Sequence, residues 1–348
     1  MTARCASIDL EQDRPNFDHL RAMTDERGVF EHADRTVRRL EHGYCTDDNA
    51  RMLVVTARES EADAVRQIAP LCRIALDFTL AAQVPDGRIR NRMDSSGQWV
   101  DEPSTNDCWG RALWGLGVAA RQLEDPAMRA AALAAFERGA RQRSRWPRAM
   151  AFAAIGAADV LAAEPGHRLA RALLRDAIAA IGAPAAAPWV WPEGRLRYAN
   201  AALAEATIAA GAALEEPAIV DRGLAMLDWL VQLESWHGHL SVTGVGGRGR
   251  HELGPQFDQQ PIEVAAIADA CWRACAVTGD PRWALGVELA AAWFDGVNDT
   301  GVRMWDHHSG GGYDGLLVDG VNLNQGAEST LAVISTMQRA RSLTLRSR

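Results

Sequence analysis

The chain of 348 residues carries a formal charge of −8 at pH 7, and all of its 37 basic side chains are arginine. Because it contains no lysine, a Schiff base, a pyridoxal phosphate anchor and a Walker-type phosphate loop are excluded. The arginines form no basic stripe along the sequence, so nucleic acid is not a predicted partner.

The six cysteines have neither CxxC spacing nor a compact framework, which predicts reduced thiols that lie mostly in the core. The N-terminal residues lack the apolar region of a signal peptide, and no apolar run reaches the length of about 18 residues that a membrane span needs. We therefore expect a cytoplasmic protein with no membrane contact.

Helical periodicity predicts two sets of helices that alternate along the chain. The first set is predicted near residues 16–26, 61–83, 127–142, 168–182, 217–234 and 281–296. The second set is predicted to begin near Thr46, Thr105, Trp146, Tyr198, Asp258 and Asn324. Alanine is abundant and β-branched runs are scarce, which favours closely packed helices over a large sheet.

Five segments share the pattern x-Gly-x-apolar-x, which predicts a turn followed by a brief strand. They occupy residues 27–31, 86–90, 193–197, 237–241 and 300–304. Long connections precede most helices of the second set, at residues 31–45, 85–104, 237–257 and 298–323. The third pair of helices has only the short linker 141–145. At that side, any cleft formed by the connections should therefore have a lower wall.

Six successive pairs of an outer and an inner helix predict an all-α (α/α)6 toroid that forms one domain over residues 1–348. In such a toroid the inner helices run parallel around an axis and the outer helices run antiparallel to them. The long connections, with their hairpin-like segments, then meet the N-termini of the inner helices at one end. We expect a cleft there, and positive helix ends would favour carboxylates in it.

Six carboxylates stand at the predicted entrances of inner helices, where a glycosidase would hold its acid and its base. Asp48 and Asp107 are the first predicted catalytic pair. The alternates are Asp47, Asp258, Glu263 and Glu328. Each of these acids also has a purely structural explanation, as a helix cap or as a favourable charge in a first helical turn.

Polar and aromatic side chains at the same entrances suit sugar hydroxyls and pyranose faces. The residues predicted to hold hydroxyls or a substrate carboxylate are Asn49, Arg51, Arg111, Gln260 and Asn324. Those predicted to stack on sugar rings are Tyr44, Trp109, Trp191 and Trp305. His307 is predicted to bind sugar, and because no ligand spacing accompanies it, we predict neither a metal nor a cofactor.

The string HGYCTDDNAR, with DQQPIE at 258–263 and NQGAEST at 324–330, resembles a group of bacterial proteins often labelled glycosyltransferase. That label comes largely from members fused to a sugar-nucleotide transferase domain, and this chain shows no such βαβ pattern. At the fold level the chain resembles (α/α)6 glycan-active proteins, both unsaturated glucuronyl hydrolases and the N-acylglucosamine 2-epimerase group. The hydrolase resemblance implies catalytic aspartates at inner-helix entrances, such as Asp48 and Asp107.

The sequence thus predicts a glycoside hydrolase that acts on a short oligosaccharide or glycoconjugate. We expect inversion, because a water must fit between acids on separate helices. Two alternatives stay open. One is a sugar epimerase, isomerase or lyase with His307 or His308 as its base, and the other is a non-catalytic glycan-binding partner of a glycosyltransferase.

Overall fold

A computed structural model describes residues 15–346, and this part of the chain contains twelve α-helices. They are α1 (Asp18–Ala22), α2 (Thr46–Arg58), α3 (Ala62–Ala82), α4 (Asp107–Gln122), α5 (Pro126–Gly139), α6 (Pro147–Ala163), α7 (Arg168–Ile181), α8 (Ala201–Leu214), α9 (Pro217–Leu233), α10 (Pro261–Thr278), α11 (Arg282–Phe294) and α12 (Ala327–Arg346). Both predicted sets of helices are confirmed to within a few residues. The exception is α1, which is shorter because Thr24 already pairs with Val29 in an antiparallel bridge.

The even-numbered helices form a closed inner ring, in which each helix packs against the next and α12 returns to α2. Helices α3, α5, α7, α9 and α11 each cover the inner helix that precedes them, and α1 packs against α12. This arrangement confirms the predicted (α/α)6 toroid. Within the described residues, no helix has the length and apolar character that a bilayer span requires.

The inner helices pack closely because small residues line their contacts. A Cβ atom added to Gly110 would lie 2.2 Å from the Ala149 carbonyl oxygen, and one added to Gly117 would lie 2.3 Å from that of Gly156. The backbones of α4 and α6 are therefore in direct contact. Only glycine permits so close an approach, because any other residue would place a Cβ atom between the two helices.

Short antiparallel strand pairs join the connections at the end of the ring where the inner helices begin. Within the described residues the pairs are β1 (Ala33–Asp34) with β2 (Val37–Arg38), β3 (Tyr44–Cys45) with β4 (Arg92–Met93), β5 (Arg195–Leu196) with β8 (Arg248–Gly249), β6 (Ser235–Trp236) with β7 (His239–Leu240), and β9 (Gly315–Leu317) with β10 (Gly320–Asn322). Because β3 pairs with β4 and β5 pairs with β8, neighbouring connections are tied to each other.

The predicted Gly-centred strands are confirmed only in part. Segments 193–197 and 237–241 contain β5 and β7, whereas 27–31 and 86–90 form isolated bridges through Val29, Phe30 and Ile89. Residues 300–304 form no strand. A brief alternation without a partner of matching length gives only isolated bridges, since a strand needs an extended neighbour to bond with.

The cysteines and the third connection agree with the sequence analysis. Cys45, Cys72, Cys108 and Cys271 are buried free thiols, Cys275 is half-buried, and Cys5 lies outside the described residues. The link between α5 and α6 covers only residues 140–146, the shortest connection into an inner helix in the described chain.

Candidate functional site

Two open cavities, of about 630 Å³ and about 430 Å³, lie where the inner helices begin. Asp47 lines both cavities, so they are two halves of one cleft. The larger cavity is lined by residues within 91–108, 146–148 and 193–198. The smaller one is lined by residues within 31–32, 45–51, 258–260 and 314–329.

Asp48 stands in the first turn of α2 but is only 2% exposed. It pairs with Arg51, which also pairs with Glu328 of α12, and the Cys45 thiol donates a hydrogen bond of 3.1 Å to Asp48 Oδ2. Burial raises the pKa of Asp48 to about 6, although Arg51 opposes the shift. Asp48 is thus the inner end of a buried ion-pair chain that opens into the smaller cavity at Glu328.

Asp47 and Asp107 face the larger cavity from the entrances of the adjacent inner helices α2 and α4. Asp47 Oδ1 lies 3.6 Å from Arg111 Nε, and the buried Arg111 guanidinium lies 4.0 Å from the centre of the Phe152 ring. Burial raises the pKa of Asp107; Arg111 opposes this shift, and the nearby Asp47 carboxylate adds to it. The two acids therefore line the same cavity, and the charge of Arg111 acts on both.

Arg111 lies beneath the cleft rather than in it. It is 1% exposed, and burial lowers its pKa to about 10. Arg111 lines neither of the two open cavities, so its predicted contact with substrate has no support from them and stays a prediction. Its position instead suits it to hold negative charge on Asp47 and Asp107.

Two exposed aromatic rings, those of Trp146 and Tyr198, line the larger cavity. Trp146 is 46% exposed and Tyr198 is 38% exposed. Arg148 forms a bidentate pair with Glu193, with distances of 2.8 and 2.9 Å, and its guanidinium lies 5.3 Å from the Tyr198 ring centre. None of these four residues is among those predicted from the sequence. Trp146 could have been predicted from its position: it stands directly before Pro147, the first residue of the inner helix α6, and so at a helix entrance.

The smaller cavity contains two further acids, Asp258 and Asp314, beside Gln260 and Asn324. Within residues 15–346, Asp258 Oδ1 has no hydrogen-bond partner, whereas Asp314 Oδ1 accepts bonds of 2.8 Å from Gly326 N and Ser329 Oγ. Burial raises the pKa of Asp258 above its ordinary value, and the Asp314 carboxylate raises it further.

The aromatic residues selected from the sequence lie in the core. Tyr44, Trp109, Trp191 and Trp305 are each at most 2% exposed. The Tyr44 hydroxyl donates to Asp25 Oδ2 at 2.6 Å, and Trp109 Nε1 donates to the Gly139 carbonyl at 3.1 Å. The prediction that these rings stack on sugar is wrong, because large aromatic rings next to a small-residue inner ring fill the gaps between helices.

Glu263 and Asn49 are structural. Glu263 is buried and accepts hydrogen bonds from Ala199 N and from Asn200 N and Nδ2, so it holds the start of α8 against α10. Asn49 accepts from Val29 N at 3.0 Å and donates to the Cys45 carbonyl at 2.9 Å. Neither side chain lines the cleft, so a catalytic Glu263 and a sugar-binding Asn49 are contradicted.

His307 and His308 are exposed and line neither cavity. The ring centres of His307 and Trp305 lie 3.8 Å apart, and His307 Nε2 lies 3.4 Å from Asp295 Oδ1. Their predicted roles in sugar binding and as a base are therefore wrong. The histidine that does line the smaller cavity is His32, whose Nε2 lies 3.7 Å from Glu31 Oε1.

One cluster has the ligand types of a metal site. The ligand atoms of Glu31, Cys45 and Asp48 lie within 4.8 Å of one another. Arg92 pairs with Glu31 and Arg51 pairs with Asp48, so guanidinium groups already neutralise both carboxylates. This arrangement fits a network of ion pairs better than a metal site, which needs its carboxylates free to bind.

No protein-family model and no curated protein matches the sequence. Among solved structures, the chain is similar in fold to cellobiose 2-epimerase from Bacillus thermoamylovorans, with 10% identity, a TM-score of 0.70, and coverage of 95% of this chain and 98% of the other. A GH76 α-mannanase of Bacteroides thetaiotaomicron gives 11% identity, a TM-score of 0.65 and 98% coverage of both chains. At such identities the likeness shows the (α/α)6 fold alone.

A third match is the endoglucanase CelQ from Clostridium thermocellum, solved in complex with cellotriose. Its identity is 11% and its TM-score is 0.59, over 90% of this chain and 63% of the other. The same fold thus occurs in proteins named for epimerising and for hydrolysing sugars.

Proposed function

We propose that the chain is a carbohydrate-active enzyme, and specifically a glycoside hydrolase with Asp107 as general acid and Asp47 as general base. The observation that carries the proposal is that these two acids, from adjacent inner helices, line the same open cavity next to the Arg111 cation. Hydrolases with this fold, such as the α-mannanase and the endoglucanase, support the reaction class. Fold alone does not define chemistry, so the acids carry the argument.

The roles follow from the surroundings of each acid. Asp107 is assigned as the acid because burial raises its pKa, which favours the protonated form; it would give its proton to the glycosidic oxygen as the bond to the anomeric carbon breaks. A water then attacks that carbon and gives its proton to Asp47, whose carboxylate is stabilised by Arg111. Because the acids come from separate helices, we favour inversion, which needs roughly 6.5–9.5 Å between the carboxyl groups.

The substrate in this proposal is a short oligosaccharide or a glycoconjugate that extends along both cavities. Trp146 and Tyr198 offer exposed ring faces to its pyranose units. Gln260, Asn324 and Glu328 line the smaller cavity and would bind hydroxyl groups there. Asp48, the other acid of the first predicted pair, is nearly buried at the smaller cavity and would act through its pair with Arg51, which also holds Glu328.

The direct test is a screen for reducing-end release over a diverse oligosaccharide panel, repeated with Asp107→Asn and Asp47→Asn. We expect each variant to lose about 10²- to 10⁴-fold in kcat while its thermal melt stays near that of the wild type, because general acid and base catalysis contribute that much. The control is Asp221→Asn on the exposed face of α9. Wild-type rates in both cleft variants would remove the assignment.

A sugar epimerase or isomerase is the second candidate, because His32 lines the smaller cavity and an epimerase shares the fold. There His32 would remove a proton next to the carbonyl of a ring-opened sugar. A product of unchanged mass that His32→Gln abolishes would favour this candidate over hydrolysis. Tight glycan binding with no product at all would instead favour the non-catalytic alternative.

A further inference from the structure

The cleft concentrates the negative charge of the molecule. Among residues 15–346, ten carboxylates and four guanidinium groups line its two cavities, which leaves six formal negative charges when His32 is neutral. The whole sequence carries a formal charge of −8. A cleft lined by one sign of charge sets up a potential that attracts ligands of opposite sign and repels ligands of the same sign.

Three of the four arginines that line the cleft already pair with cleft carboxylates. Arg51 pairs with Asp48 and Glu328, and Arg92 pairs with Glu31. Arg148 holds both oxygens of Glu193, and Arg197 is exposed at the rim. A substrate carboxylate that binds Arg51, Arg92 or Arg148 would have to break one of these pairs, which leaves a cleft acid without its counter-ion and is costly at a half-buried site. Arg197 at the rim stays open to an anion, but its single charge does not offset the six negative charges of the cleft.

Two acids of the smaller cavity, by contrast, lack a counter-ion. Within the described residues neither Asp258 nor Asp314 forms an ion pair, and Asp258 Oδ1 accepts no hydrogen bond. Burial raises the pKa of Asp258, and the nearby Asp314 carboxylate raises it further. This part of the cleft is therefore complementary to a hydroxyl-rich or positively charged group.

We propose that the cleft takes glycans without acidic groups, neutral or amine-bearing, and that it rejects uronate- and sulfate-bearing ones. This inference rests on the proposed function and names its substrate class. It departs from the expectation that the cleft arginines hold a substrate carboxylate. Asp258 is the residue we assign to the preference for an amine over a hydroxyl, since it lines the smaller cavity and has no counter-ion within the described residues.

The test measures binding and does not need turnover. Wild-type protein is titrated with β-1,4-linked tetramers of glucosamine, glucose and glucuronic acid, followed by ligand-observed NMR. The titrations are run at about pH 6, where an amino sugar is largely protonated. At about 0.05 M salt we expect the glucosamine tetramer to bind about tenfold more tightly than the glucose tetramer, and the glucuronate tetramer at least about tenfold more weakly. At about 0.5 M salt both differences in affinity should become smaller, because mobile ions screen the cleft charge.

The variant Asp258→Asn should lower the preference for glucosamine over glucose about threefold or more and leave the affinity for glucose nearly unchanged. Asp221→Asn, far from the cleft on α9, should change none of the three affinities. A thermal melt of each variant shows that the fold is intact.

Glucuronate binding that equals or exceeds glucose binding overturns the inference, and so does the absence of binding by all three tetramers. Neither result touches the hydrolase proposal, because reducing-end release by the wider panel is measured independently. Conversely, the expected order of affinities without any product would leave the charge preference standing and remove hydrolysis.

Discussion

Asp47 and Asp48 are neighbours in the sequence but have opposite environments. They occupy successive positions in the first turn of α2, so their side chains leave the helix about 100° apart. Asp47 opens onto both cavities, whereas Asp48 points inward to Arg51. One helical step therefore separates a candidate catalytic acid from a buried structural one.

The buried Asp48 should make the stability of the protein depend on pH. Its pKa is raised to about 6 in the folded state, so folding favours the protonated form. The sign follows from linkage: this contribution is complete below the unfolded pKa near 4 and is lost as pH rises through about 6. The loss is on the order of 2–3 kcal/mol in the free energy of unfolding.

Urea unfolding of wild type and Asp48→Asn between about pH 4 and about pH 7 checks this sign. Relative to the wild type, the variant should gain stability as pH rises, because asparagine does not titrate. Asp221→Asn serves as the exposed control, with a constant difference from the wild type. If the stability of Asp48→Asn also differed from that of the wild type by a constant amount over this pH range, the pair with Arg51, and not burial, would determine the pKa of Asp48.

At the scale of helices, the local signals in the sequence were sufficient to place most boundaries. Pro126, Pro147, Pro217 and Pro261 each stand at the first position of a helix, where the missing N–H costs nothing. The strands were harder to predict, because a two-residue strand depends on which distant loop lies beside it. The pairing of β5 with β8, some fifty residues apart, has no local signal.

The contact between α4 and α6 should be intolerant of a single methyl group. A Cβ atom on Gly156 would lie 2.1 Å from the Leu113 carbonyl oxygen. We expect Gly156→Ala to destabilise the fold by about 2 kcal/mol or more, despite the gain of up to about 1 kcal/mol in helix propensity. Gly166→Ala, at a glycine with open space around it, is the matched control and should be nearly neutral. Denaturant unfolding of both variants measures this difference. If Gly156→Ala were as stable as Gly166→Ala, α4 and α6 could move apart at little cost.

At the scale of the whole molecule, the ring is closed by contacts between its first and last inner helices. Asp269 of α10 accepts from Arg58 of α2 at 2.8 Å and from Arg339 of α12 at 2.5 Å. Burial alone would raise the pKa of Asp269, but the two guanidinium groups hold it below its ordinary value. This buried acid thus joins three inner helices at the end opposite to the entrances of the cleft.

Asp269→Asn should therefore lower the free energy of unfolding by about 3–5 kcal/mol, because two buried cations lose their shared counter-ion. Asp176→Asn, which breaks an exposed pair with Arg143, is the matched control and should cost less than about 1 kcal/mol. Denaturant unfolding at neutral pH measures both. A small loss for Asp269→Asn would show that hydrophobic contacts alone hold the ring together.

The sequence by itself determined the alternation of helices, the (α/α)6 ring and the end of the molecule where acids such as Asp47 and Asp107 collect. These features follow from periodicity and caps, which act between residues a few positions apart. Only the tertiary structure decided which candidates face solvent. Burial depends on neighbours from distant helices, so Glu263 proved to be a brace for α8, and the exposed Trp146 and Tyr198 line the cleft in place of the buried tryptophans.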